Sequence, residues 1–158
     1  MVVSFTPEQA ENHIEQLVVL LIDAVDSGAS VGFMPPLAES EARIYWESVI
    51  AAMRQGTRVL LVALDGDLIQ GSVHRRARRR GLARALMVEL ESTARKLGRT
   101  LLVMDTRQGG EAEKMCESLG YVRYGAVPGY TARRSPNSRR SYPACIPWCR
   151  LWRELQCK

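Results

Sequence analysis

The sequence has few histidines and cysteines, the residues that most often ligate zinc. It contains two histidines and four cysteines among 158 residues. Three of the cysteines follow a C-x3-C-x7-C spacing with neither histidine nearby in the sequence, which matches no common zinc pattern. A disulfide framework is not expected either, because a chain of this length can bury enough apolar surface to fold without covalent cross-links. The sequence therefore predicts neither a metal site nor a disulfide framework.

Long apolar runs are also missing. No run approaches the roughly 18 residues that a membrane-spanning helix needs. The N-terminal region has no basic segment followed by an apolar core, which a secretion signal requires. These absences predict a cytoplasmic protein with no membrane partner.

The positive charge is confined to one end of the chain. Residues 1–130 hold 15 basic and 16 acidic residues, a net charge of −1, whereas residues 131–158 hold 7 basic residues and one acidic residue, a net charge of +6. The second segment is rich in Arg, Ser, Pro, Cys and Trp, and its only strand or helix period is a weak one over 148–155. We therefore predict one domain over residues 1–130 and, over residues 131–158, a basic tail that is either poorly ordered or atypical.

The first half of the chain carries signals for two helices followed by a β-hairpin. Thr6 to Gln9 form the pattern of a capping box at a helix start. A second helix is expected to bury Ile44, Val49, Ile50 and Met53. Asp65-Gly66 is the strongest short signal for a hairpin turn. The predicted elements are helices over residues 6–28 and 39–55, a loop over 28–36, and strands over 58–64 and 67–73.

The second half predicts a strand, a helix and a strand in succession. A long amphipathic helix begins near Leu82 and ends at Gly98, with Leu97 on its apolar stripe. Thr100 to Met104 is a short apolar run, typical of a buried parallel strand. A helix over 111–119 and a strand over 121–124 follow. Together with the strand that ends at Val73, these elements predict an α/β (α+β) fold with a right-handed βαβ crossover.

The stretch Arg75 to Ala83 joins that first strand to the long helix. It reads RRARRRGLA, with five arginines ahead of a glycine at the helix start. Unpaired backbone N–H groups and the positive end of the helix dipole favour an anion there, and glycine lets a ligand approach the main chain closely. Guanidinium groups add charge-assisted hydrogen bonds to phosphate. The sequence predicts a phosphate-bearing cofactor at this turn.

The residues around this turn, and the elements that follow it, also fit a longer sequence pattern. Arg78-Arg79-Arg80-Gly81-Leu82-Ala83 fits the pattern Q/R-x-x-G-x-G/A between a strand and an amphipathic helix. A strand ending in Asp105-Thr106 and a helix ending in Leu119-Gly120-Tyr121 follow it. In this order of elements, residues 8–130 resemble the GNAT superfamily of acetyl-CoA-dependent N-acetyltransferases. The resemblance implies a mixed antiparallel and parallel sheet flanked by helices, with a βαβ acetyl-CoA-binding core.

The resemblance also implies a site and a reaction, with acetyl-CoA as co-substrate and no metal. A primary amine of a small molecule or peptide attacks the thioester carbonyl directly, and an acid on the fourth helix protonates the leaving thiolate. At the usual tyrosine position of that acid, this chain has Cys116. The residues implied for acetyl-CoA binding are Val73, Arg78, Arg79, Arg80, Gly81, Leu82, Ala83 and Arg84.

The chain departs from the family pattern in three places. Cys116 lacks the ring that carries the tyrosine hydroxyl outward, so a small packing residue is the alternative role. The strand that normally lies between the hairpin and the motif is missing, a loss of roughly 20 residues, so the sheet is predicted to be shortened. The tail is unlike the family's final strand. A catalytically impaired GNAT-like protein is therefore an open alternative.

A basic nucleic-acid-binding module is the other alternative. The arginine run and the basic tail could contact a phosphate backbone. Against this, residues 1–130 carry a net charge of −1 and contain no nucleic-acid-binding motif. The sequence leaves open which amine is the acceptor and whether the chain forms a homodimer.

Overall fold

A computed structural model describes residues 1–27, 32–66, 68–70, 81–127 and 145–151. The described residues form five helices and six strands, and the strands make two three-stranded sheets. The chain divides into two compact units, Met1–Leu90 and Glu91–Lys158. The division predicted from composition, at residue 130, stays a prediction.

The first unit begins with a strand and two consecutive helices, β1 (Val2–Phe5), α1 (Pro7–Asn12) and α2 (Ile14–Asp26). The predicted capping box is confirmed: Gln9 N donates to Thr6 Oγ1 at 3.2 Å, and Thr6 N donates to Gln9 Oε1 at 2.8 Å. The single helix predicted here is divided at His13, whose backbone leaves the helical region at φ −112° and ψ 15°. Strand β1 had no sequence prediction.

Helix α3 (Glu39–Arg54) packs on α2. Val49, Ile50 and Met53 are buried in the core of the first unit, as their helical spacing predicts. Trp46 joins the two helices, because its indole Nε1 donates to the Leu17 carbonyl at 2.8 Å. The prediction that Ile44 is buried is wrong: its side chain is 66 % exposed, since the apolar stripe of α3 faces elsewhere.

The first sheet is antiparallel in the order β1-β2-β3, with β2 at Leu60–Asp65 and β3 at Leu68–Gln70. The hairpin turn predicted at Asp65-Gly66 is confirmed, and Gly66 adopts a φ of +60° that favours glycine. Strand β3 covers only part of the predicted strand over 67–73. Residues 71–73 lie outside the described residues, so the shortening of the sheet stays a prediction.

Helix α4 (Leu82–Lys96) begins where the sequence predicts, and Gly98 follows it with a φ of +69°. Its apolar stripe is shorter than predicted. Leu97 lies beyond the last helical residue and is 58 % exposed, so its predicted burial is wrong. Glu91 instead is buried on the inward side of the helix.

The second sheet has the order β4-β6-β5, formed by β4 (Leu101–Arg107), β5 (Val122–Arg123) and β6 (Cys145–Leu151). Helix α5 (Glu111–Ser118) packs on β4. All pairings among the described strands are antiparallel. The prediction of β4 as a buried strand is wrong, because its residues alternate between exposed and half-buried. A parallel partner ending at Val73 would lie outside the described residues.

Strand β6 lies in the segment that was predicted to be a poorly ordered or atypical tail. It pairs with β4 from Leu101↔Leu151 to Arg107↔Cys145. Only Ile146 and Trp148 mark its inward face as buried apolar residues, and Pro147 interrupts them. Two apolar positions separated by a proline are too short a pattern to predict a strand. A strand is nevertheless present at Cys145–Leu151.

Candidate active site

The predicted phosphate turn is described only from its glycine onward. Val73, Arg78, Arg79 and Arg80 lie outside the described residues. Gly81 directly precedes α4, and its carbonyl accepts the first helical hydrogen bond, from Ala85 N at 2.9 Å. The structure therefore places Gly81 at the N-terminus of a long helix, as the motif predicts.

The backbone at Gly81 explains why glycine stands there. Its φ is +73°, which residues with a side chain rarely adopt. A Cβ atom at this position would meet no atom within 4 Å, so steric crowding is not the constraint. The conformation requires glycine, and the space beside the main chain is open to a ligand.

The electrostatics of this helix start also favour an anion. The first turn of α4 carries no acidic residue, whereas α1, α2, α3 and α5 each have at least one. It carries Arg84 instead, a cation at the positive end of the helix dipole. That placement is unfavourable for an isolated helix and becomes favourable when a bound anion lies between the charge and the N–H groups.

An open hollow of about 550 Å³ lies beside this helix start. Val2, Ala85 and Val88 give it an apolar wall, while Arg84 and Glu89 are its charged lining residues. Gly81 completes the lining, so the hollow reaches the N-terminus of α4. Leu82 and Ala83 are half-buried and do not line it. Of the predicted binding residues in the described segments, Gly81 and Arg84 therefore share one cavity.

No family model matches the sequence. The structure is similar to that of an N-acetyltransferase from Staphylococcus aureus Mu50, with 17% identity, a TM-score of 0.74 and coverage of 96% of this chain and 97% of that chain. An acetyltransferase of the GNAT family from Streptococcus pneumoniae matches with 15% identity, a TM-score of 0.70 and coverage of 96% and 99%. This chain has the GNAT fold.

A third similar structure was solved with a ligand. The structure of yncA from Salmonella typhimurium, with its cofactor acetyl-CoA, matches with 14% identity and a TM-score of 0.69. The match covers 95% of this chain and 93% of that chain. At these identities the likeness concerns the fold.

Cys116, the residue predicted at the position of the acid, lies on α5. Its side chain is 0% exposed, and its Sγ lies 3.5 Å from Met104 Sδ on β4. Burial raises the pKa of this thiol, and the carboxylates of Glu113 and Glu117 raise it further. The thiol therefore keeps its proton and packs against the sheet. This burial favours the packing role, and the catalytic role of Cys116 stays a prediction.

A buried charge cluster near the end of α4 was not predicted from the sequence. Arg150 on β6 donates to Glu91 Oε1 at 2.9 Å and also to the Leu119 carbonyl. The guanidinium of Arg150 lies 5.8 Å from the centre of the Tyr121 ring. Burial and the negative charge of Glu91 raise the pKa of Tyr121 to about 12. The only signal for this cluster in the sequence is Glu91, an acidic residue on the inward side of α4.

Two further features concern metals and membranes. Within the described parts of the chain, no three His, Cys, Asp or Glu side chains come together as metal ligands. No described helix combines the length and the apolar character needed to cross a membrane.

Proposed function

We propose that this protein is an acetyl-CoA-dependent N-acetyltransferase. The acceptor is a primary amine of a small molecule or a peptide. The observation that carries the proposal is the start of α4, where Gly81 and Arg84 border an open hollow within a GNAT fold. The described residues fit the ligand, because a pyrophosphate needs backbone donors, positive charge and free space at the same place.

In this proposal the backbone N–H groups of the first turn of α4 hold the pyrophosphate. Arg84 adds its charge from within that turn, and Arg78, Arg79 and Arg80 add theirs from the residues before it. The family resemblance assigns Val73 to the contact with the pantetheine arm. Acetyl-CoA supplies an activated thioester when it is bound.

The reaction needs little chemistry from the protein itself. The neutral amine attacks the thioester carbonyl, a C–N bond forms, the C–S bond breaks, and the amine loses a proton while the CoA thiolate gains one. Cys116 occupies the position of the proton donor, but its buried thiol faces Met104. Proton donation by Cys116 would require it to turn away from the sheet.

The buried thiol also supports a second candidate, a GNAT-like protein that binds acetyl-CoA without efficient turnover. Binding depends on α4, whereas proton transfer depends on α5. The two candidates therefore share one ligand and differ in the rate of CoA release.

The nucleic-acid-binding alternative loses one of its supports. The basic tail contains two tryptophans, and an aromatic ring stacks on a base only when it is exposed. Trp148 is 2% exposed, and its indole donates to Thr106 Oγ1 at 2.9 Å. Its ring is thus part of the core of the second unit and cannot stack on a base.

The proposal is tested by thermal unfolding with and without acetyl-CoA. A ligand at 100 times its Kd stabilises the native state by about 2.7 kcal/mol, which raises the Tm by several degrees. A raised Tm together with amine-dependent release of CoA thiol supports the enzyme. A raised Tm without release supports the impaired binder. An unchanged Tm at millimolar acetyl-CoA refutes both.

A further inference from the structure

We draw no further inference here: the strongest candidate, the outward apolar face of the β4-β6-β5 sheet, where Leu101, Val103, Val122 and Leu151 are about half exposed around Cys149, carries none, because nothing among the residues that the structure describes shows what covers it.

Discussion

Arg150 and Glu91 form an ion pair of 2.9 Å in which the carboxylate side chain is only 8% exposed. The pair joins the last strand of the second sheet to the end of α4. Arg150 also donates to the Leu119 carbonyl, at the C-terminal end of α5. One side chain therefore connects a strand of the basic tail to two helices of the fold.

Replacing Arg150 should destabilise the protein strongly. Arg150→Ala leaves the Glu91 carboxylate buried without its principal partner, which costs about 3 kcal/mol or more. Arg123→Ala on β5 is the matched control, because the Arg123 side chain is 44% exposed and its nitrogen lies 3.9 Å from Glu113. We expect the control to cost less than about 1 kcal/mol. Urea unfolding measures both, and equal losses would contradict this role of Arg150.

Trp148 should contribute strongly to stability, although the sequence did not predict the strand in which it lies. Trp148→Ala removes a fully buried indole and should cost about 3–5 kcal/mol. Leu151→Ala on the same strand removes a side chain that is 54% exposed and should cost less than about 1 kcal/mol. Thermal or urea unfolding compares the two. If both variants unfold like the wild-type chain, β6 is not part of the native sheet.

Gly81, at the start of α4, should be required for acetyl-CoA binding, whereas a glycine of similar conformation elsewhere should not. Gly81→Glu places a carboxylate where the pyrophosphate is proposed to bind, so the Tm shift caused by acetyl-CoA should disappear. Gly98→Glu is a close control: its φ is +69° against +73° for Gly81, and a Cβ atom at either site meets nothing within 4 Å. Both variants carry similar backbone strain, but Gly98→Glu should keep the shift. Loss of the shift in both would remove the evidence for this site.

The buried tyrosine should make stability fall at high pH. The pKa of Tyr121 is about 12 in the folded protein and about 10 in an unfolded chain, so the folded state binds the proton more tightly. The contribution of Tyr121 to the free energy of unfolding is therefore retained below pH 10. It declines as the pH rises towards 12, by roughly 2 kcal/mol. Tyr121→Phe should remove this part of the decline. Tyr124→Phe, whose ring is 57% exposed, should leave the decline in place. Denaturant titrations at pH 9 and pH 11 measure the difference.

Cys116 should matter more for packing than for proton transfer. Cys116→Ala leaves a small void beside Met104 and should lower stability by about 1 kcal/mol. If the thiol only packs, the rate of CoA release should change less than threefold and its pH profile should keep its shape. A loss of 100-fold or more with an altered profile would instead assign proton donation to Cys116.

The sequence predicts those parts of the fold that depend on neighbouring residues. The capping box at Thr6, the turn at Gly66 and the start of α4 after Gly81 each follow from a few adjacent residues, and the structure confirms them. The predicted burial of Ile44 and Leu97 is wrong. Ile44 lies off the apolar stripe of α3, and Leu97 lies beyond the last residue of α4.

The missed elements depend on partners that are distant in the sequence. Strand β1 is defined by pairing with β2 some 60 residues later, as in Val2↔Ala63. Strand β6 is defined by β4 and β5 on its two sides, and its own residues carry almost no period. The ion pair of Arg150 with Glu91 spans 59 residues. For the candidate site, the motif predicted the position of Gly81, whereas the burial of Cys116 follows from a contact with another strand.

The position of β6 between β4 and β5 has a consequence for biosynthesis. On the ribosome, β4 and β5 are synthesised before β6, so both lack the strand that will separate them until residues 145–151 have also left the exit tunnel. Their unpaired edges are open to other strands during that interval, which favours aggregation of the nascent chain. The second sheet can therefore close only after translation has passed residue 151.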